Sequence, residues 1–322
     1  MKAVYVREFG PIEVMELVDL PVPTPGPGQV LVRVKASGVN FAETRMRGGE
    51  YGGQTVPFVM GMESAGIVEA VAPDVTSFRP GDRVFGRARG SHAEFVVFDA
   101  AHLMPLPERL SFEEGAAIPV GWLTAWHGLI TLADVQPGQR VLIEGIASSV
   151  GSAALQVARW RGAWVAGTAS RDEKVAKARE WGANAAYNYL TEDVPTRLRH
   201  DTGGHGADVS LLTIGGEQGA KTIAAMGDDG TVLLFGSTGG RTLPLDLNIG
   251  GRNLRLLSFS ITSSKRFLPE TMASFNRVAL PLFANGLFKP VIDRVLPLDQ
   301  VHEAHRLVAD RSHFGKIILR VS

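Results

Sequence analysis

The stretch Gly145-Ile146-Ala147-Ser148-Ser149-Val150-Gly151 is the segment of this chain best suited to chemistry with a phosphorylated ligand. Small residues at 145, 148 and 151 let a backbone turn tightly and let a pyrophosphate approach. A helix beginning there adds unpaired N–H groups and a positive dipole end. Ser148 stands where a glycine is expected. About twenty residues on, Thr168-Ala169-Ser170-Arg171 closes a second strand. A dinucleotide site for NAD places Asp or Glu there, to accept from the ribose hydroxyls. Here Ser170, Arg171 and Lys174 can surround a 2′-phosphate instead, with Lys174 one helical turn past Ser170. The same residues also read as an ordinary helix start, with Ser170 as N-cap and Asp172 and Glu173 complementing the dipole. Both readings can hold together. Asp172 keeps a ribose contact, and so NADH, open.

Other reactive types are weighed against duller roles. The chain has no cysteine, which excludes disulfides, thiolate metal sites and thiol nucleophiles. His302 and His305 share an i, i+3 spacing, but no third ligand lies near them in sequence, so a surface helix is expected. His205, in DTGGHGAD, reads as a solvated loop residue. His127, in TAWHGL, reads as a packed helix residue rather than an acid. No Gly-x-Ser-x-Gly elbow suggests a hydrolase. Glu63 can orient a neighbour or form a structural salt bridge. Asn40 can serve a site or merely satisfy a turn. Tyr51, in GGEYGGQ, sits in a glycine-rich loop suited to lining a cleft.

The elements that must carry these residues fall into two patterns. Residues 1–115 hold short β-branched runs (VLVRVKASG, ESAGIVEAV, GDRVFG, AEFVVF) between dense turn signals such as PVPTPGPGQ, which predicts a partly closed, mostly antiparallel β-domain. From about residue 120, the buried runs QRVLIEGI, WVAGT, ADVSLLTI, TVLLFG and LRLLSFS follow one another with helical stretches between the earlier ones. That alternation predicts a doubly wound parallel sheet. HEAHRLVAD and KIILRV give a last helix and strand, assigned back to the first domain. The expected domains are 1–119, 120–261 and 262–322, the last rejoining the first. A chain of 322 residues exceeds what one core usually serves, which agrees with two domains. Lys plus Arg equals Asp plus Glu, 33 each, so neither nucleic acid nor an anionic membrane is the expected partner. The start MKAVYVREFG has no apolar core of a secretory signal, and no 18-residue apolar stretch exists. A cytoplasmic location is expected.

GQVLVRVKASGVNFAE, PFVMGMESAGIVEAV, FRPGDRVFG, GWLTAWHGL, the nucleotide loop and GKIILRV together resemble the medium-chain dehydrogenase/reductase superfamily, in its quinone oxidoreductase (zeta-crystallin-like) branch. The resemblance covers essentially the whole chain. It implies a GroES-like, partly open β-barrel catalytic domain split around a central Rossmann domain, with the cofactor in the cleft between them. Zinc members of the superfamily carry a Cys in the SGVN region and a His in a GHE motif. This chain has Asn40 and Met62 there, and lacks the cysteine-bearing lobe, so no catalytic zinc is expected. Met62 reads as core packing.

The resemblance also implies site residues. Asn40, Tyr51 and Thr124 lie beside the nicotinamide. Ser148, Ser149 and Val150 lie at the pyrophosphate, where the family usually has Gly-Gly. Thr168, Ser170, Arg171, Lys174 and Tyr189 lie at the 2′-phosphate end. Ile214-Gly215 and Phe235-Gly236-Ser237 end the next two strands under the cofactor, and Phe259, Ser260, Phe314 and Lys316 close the nicotinamide end. The implied function is NADPH-dependent reduction of a quinone. Without zinc no Lewis acid polarises a simple ketone, so an acceptor already activated for hydride addition is favoured. Asn40 and Tyr51 are expected to hydrogen-bond the developing oxyanion. An enoyl or 2-alkenal reductase, and a non-catalytic NADPH-binding protein, are the alternatives. LRLLSFS is expected at a sheet edge, an apolar liability often solved by pairing, which predicts a homodimer.

Overall fold

A computed structural model describes residues 1–246, 251–261 and 268–321. The chain divides into two compact units, Met1–Val120 with Asn276–Ser322, and Gly121–Phe275. The expected second boundary, 261/262, abuts residues outside the described set.

The first unit is built on Gln29–Val39, an eleven-residue strand. Its valines pack in one apolar cluster with Val4, Val6, Val68 and Phe98. It pairs antiparallel with Glu63–Val71, Phe95–Asp99 and the C-terminal strand Lys316–Arg320. The sheet has seven strands, and a separate three-stranded sheet contains Lys2–Val6. Pairing with Glu63–Val71 shifts register twice, at Leu31/Val32 and Val34/Ala36. Such bulges bend and twist a strand next to the site it serves. The helix Val301–Ala309 seats Val301, Ala304 and Val308 against the same cluster. The chain's last strand thus pairs with Gln29–Val39, near the other end of the sequence.

The second unit has six parallel strands in the order Ala185–Asn188, Trp164–Ala169, Arg140–Ile143, Ala207–Leu212, Met226–Leu234, Arg255–Ser258. Numbered along the chain this is 3-2-1-4-5-6, the doubly wound dinucleotide-binding arrangement. The switch point lies at Arg140–Ile143, where the loop 145–151 follows. Gly145 adopts φ +60°, which an L side chain resists. A Cβ on Gly151 would lie 2.3 Å from the Gly145 carbonyl oxygen and 2.6 Å from Ile146 Cα, so the helix Ser149–Trp160 can approach its strand only with glycine there.

Two local expectations are corrected. The helix expected to be capped by Ser170 runs Asp172–Glu180 with Arg171 as N-cap, one residue later, and Arg171 makes no side-chain cap bond. The strand expected at 231–236 begins at Met226 and ends at Leu234, its early part shifted in register against Ala207–Leu212. Among the described residues no helix is long and apolar enough to cross a membrane.

Candidate active site

In the first unit, Asn40 ends the strand Gln29–Val39 and caps the helix Phe41–Arg47. Three residues on, Glu43 accepts from the Asn40 backbone N–H at 3.2 Å and from Asn40 Nδ2 at 3.1 Å. Asn40 Nδ2 also donates to Glu63 Oε1 at 2.8 Å. Lys316 Nζ donates to Asn40 Oδ1 at 2.6 Å and to Glu63 Oε1. Glu63 Oε2 accepts from Val120 N at 2.7 Å. Gly38 makes room, because a Cβ there would lie 2.6 Å from Lys316 Cε. Glu43 and Glu63 are fully buried and Lys316 is 2% exposed. Taking these charges out of water is tolerable only because each has partners of opposite sign or matching donors. Both Asn40 amide protons are therefore committed to carboxylates. The residue that sequence reading made an oxyanion donor is held as a spacer between Glu43, Glu63 and Lys316.

Tyr51 is half-buried in the same unit. It shares an electrostatic neighbourhood with Arg87 and Glu63. Arg87 faces Glu63 in register on the adjacent strand, and burial pulls its guanidinium below the usual value while Glu63 and Tyr51 hold it up. Sequence reading missed Arg87. Phe314 is buried, its amide donating to Asp293.

Beside Asn40 lies a second buried group that the sequence did not announce. His305 is not on a surface face: it is fully buried, as are His92 and Glu43. The amphipathic helix Val301–Ala309 turns His305 inward with Val301, Ala304 and Val308, while His302 stays half-buried. Burial pushes His305 down to about 3, against the pull of the Glu43 carboxylate. Burial also drives Glu43 up, but the facing His92 overcomes this and holds it below the usual carboxylate range. The Glu43 signal was legible, because an Asn-x-x-Glu spacing is that of a capping box. Nothing local marks His92.

In the second unit the expected residues gather at the carboxyl ends of the strands, where open α/β sheets take ligands. Ser148 caps the helix Ser149–Trp160, accepting from Gly151 N at 3.0 Å. The Ser149 hydroxyl packs against Gly121, whose Cβ would meet it at 2.3 Å. Thus one substituted hydroxyl caps and the other packs. Val150 is half-buried beside them. Thr168 Oγ1 is buried without a hydrogen-bond partner at the end of Trp164–Ala169. Ala169 pairs with Asn188, and Tyr189 N donates to Ala169 O at 3.0 Å, which brings Tyr189 beside Ser170. Arg171 is about half-exposed, and Lys174 sits largely buried in the first turn that follows. Asp172 is engaged, since its Oδ1 accepts from Asn188 Nδ2 at 2.7 Å.

On the other side of the switch point, Gly215, Phe235, Gly236, Ser237 and Phe259 line a cavity of about 270 Å³. Ile214 closes the strand end behind it, its N–H donating at 2.7 Å to Glu144, and Ser260 follows Phe259. Thr124 is buried on the helix Pro119–Trp126. Glu144 also accepts from Thr213 N and Thr222 Oγ1, which pins the Thr213–Gly215 turn. Burial raises this carboxyl above its ordinary value although all three bonds oppose the shift. His127 is buried against Thr271 at 2.7 Å, as a packed residue should be.

Comparison with known proteins agrees with this geometry. Residues 26–108 match the alcohol dehydrogenase GroES-like domain, and residues 149–277 match the zinc-binding dehydrogenase family. The human quinone oxidoreductase is 34% identical over 99% of this chain and 97% of its own. The chain belongs to the quinone oxidoreductase family of the medium-chain dehydrogenase/reductase superfamily. The Escherichia coli quinone oxidoreductase, solved with NADPH, is 27% identical with a TM-score of 0.92 over the full length of both chains. The CurK enoyl reductase is 25% identical, with a TM-score of 0.91 over 100% of this chain and 99% of that one.

The zinc in one family description meets residues that do not suit it. The amide of Asn40 and the thioether of Met62 are poor zinc ligands, and the Glu63 carboxylate already holds the Lys316 ammonium. No step is therefore derived through a catalytic zinc at Asn40, Met62 and Glu63.

Proposed function

We propose that this protein is an NADPH-dependent quinone oxidoreductase that works without a catalytic zinc. The observation that carries the cofactor choice is the fate of Asp172. One oxygen of its carboxylate accepts from Asn188 Nδ2, and around the end of Trp164–Ala169 stand Ser170, Arg171, Lys174 and Tyr189. Hydroxyls and cations suit a 2′-phosphate, whereas a ribose diol calls for a carboxylate. Residues 121–275 are assigned as the cofactor-binding unit, and residues 1–120 with 276–322 as the substrate-binding unit.

Bound NADPH supplies a hydride from its nicotinamide ring. The chain's own residues do the rest. The amides at the start of Ser149–Trp160 hold phosphate, with Ser148 closing the first turn. Ile214, Gly215, Phe235, Gly236, Ser237, Phe259 and Ser260 are assigned as the wall against the dihydronicotinamide, with Phe235 and Phe259 its apolar part, and Thr124 lies on the helix entering that unit. Tyr51 is the hydrogen-bond donor for the acceptor's developing oxyanion and hands over the final proton, with Arg87 favouring negative charge beside it. Asn40 and Lys316 act as positioning residues. A quinone suits this equipment because it needs no Lewis acid to accept hydride.

Likeness to an enoyl reductase supports an enone as the competing acceptor class. A matrix of NADPH and NADH against a quinone and an enone tests both. The expected result is fastest turnover with NADPH and quinone. Faster enone reduction would move the assignment to the alternative, and NADPH binding without turnover on either would contradict an enzymatic role.

We also propose a cytoplasmic homodimer, a location that the cysteine-free composition allows. Arg255–Ser258 is the last strand of its sheet, with Leu256 half-exposed and no partner on its outer side among the described residues. An uncovered apolar edge favours pairing with a second copy. A monomeric elution volume at micromolar concentration would contradict this.

A further inference from the structure

The geometry points to a second, metal-binding function for the first unit: a buried site for one zinc-class divalent cation, formed by Glu43, His92 and His305. The three come from distant segments, the helix Phe41–Arg47, the loop before Phe95–Asp99 and the helix Val301–Ala309. One ligand atom from each lies within 4.8 Å of the others, and all three side chains are fully buried. Two imidazoles and a carboxylate form a ligand set that zinc and cobalt accept. This site is independent of the NADPH reading and takes no ligand from Asn40, Met62 or Glu63, although Glu43 also accepts from Asn40.

Hydrogen bonding around the cluster leaves His305 Nε2 unpartnered and turns His92 Nε2 toward Glu43. Ser37 has one hydroxyl proton, which goes to the Glu63 carbonyl at 2.8 Å. His92 Nδ1, also 2.8 Å from Ser37 Oγ, must then be the donor of that pair. This is the outer contact that metal-binding histidines usually make with their second nitrogen. His92 Nε2 therefore faces Glu43 Oε2, 3.1 Å away, and a lone pair against a carboxylate needs a proton or a metal ion between them. His305 Nε2 is buried with no partner at all. An unsatisfied buried ring nitrogen is destabilising, and it persists where something else completes it. Gly61 makes room for the His92 ring in this orientation, since a Cβ there would lie 2.8 Å from His92 Nδ1.

One group opposes the ion. Arg47 Nη1 sits 3.3 Å from His305 Nδ1 and, as a donor, places the ring proton on Nε2. Ligation through Nε2 moves that proton to Nδ1 and turns Arg47 away, while Arg47 Nε keeps its bond to Gly10 O. The cation would clasp three segments in the core. With every protein ligand buried it has no role as a Lewis acid toward substrate.

The test is a cobalt titration of the chelator-stripped full chain, read by visible absorption and by metal content after desalting. The account expects one Co²⁺ per chain, the strong d–d bands of four- or five-coordinate nitrogen–oxygen ligation, and displacement by Zn²⁺. His305→Gln should abolish these bands, while His302→Gln and His205→Gln, at less buried histidines, should keep them. Ser37→Ala should weaken binding by about 10- to 100-fold. That variant carries the comparison if circular dichroism shows His305→Gln unfolded. Arg47→Met should tighten binding. No stoichiometric uptake by the wild-type chain, bands that survive His305→Gln, or unchanged affinity in Ser37→Ala would overturn the proposal.

Discussion

The knot around Asn40 and the loop at 145–151 solve opposite problems by opposite means. The knot gathers the Asn40 amide and the charged side chains of Glu43, Glu63 and Lys316 and satisfies them inside one core. The loop works through missing side chains: Gly145 and Gly151 clear the backbone, and a contiguous strand-turn-helix does the rest. A site made of charges is rigid but brittle, because removing one member strands another in low dielectric. A site made of backbone tolerates changes of charge nearby but no added volume.

That contrast is sharpened first by Lys316→Met, which leaves Glu63 buried without its cation. Loss of about 3–5 kcal/mol in a denaturant titration is expected. Adding Glu63→Gln should restore part of the loss, and additive losses would contradict a coupled pair. Tyr51→Phe comes next. It removes the proposed donor but no buried charge, so kcat should fall about 100-fold with little change in stability. Retained kcat would return the oxyanion role to another group. In the backbone-built region, Gly151→Ala should destabilise the second unit by about 1–3 kcal/mol through overpacking against Gly145 and Ile146, with weaker NADPH binding in a fluorescence titration.

The smallest effect belongs to Glu144. Its folded carboxyl is raised above the ordinary value of 4.5, so the folded state binds the proton more tightly than the unfolded chain does. That contribution is complete below pH 4.5 and is lost as pH rises through the raised folded value. Glu144→Gln should therefore show a flatter decline in stability than the wild type just above pH 4.5. Parallel profiles would contradict it.

How legible each region was follows from the same contrast. The loop 145–151, the helix after it and the strand-end residues 168–174 are contiguous, and their spacing states the turn and the phosphate chemistry directly. Even there Ser170 misled, because the helix starts one residue later, with Arg171 in extended backbone at the cap position and no side-chain cap bond. The knot was legible in part. Asn40, Glu63 and Lys316 were each singled out, but the pairing of Lys316 with the other two depends on Lys316–Arg320 lying against Gln29–Val39, a contact between the two ends of the chain. His305 was read as exposed because an i, i+3 histidine pair carries no sign of which helix face is covered. Its neighbours Glu43 and His92 are brought to it by long-range folding alone.

The proposed grip of the Lys174 ammonium on the extra phosphate of NADPH separates the two cofactors most directly. Dissociation constants for NADPH and NADH, measured with wild type and Lys174→Ala, test that. The predicted result is NADPH weakened about 10-fold or more, the worth of one charged hydrogen bond, with NADH unchanged. Equal losses for the two cofactors, or none for either, would contradict it.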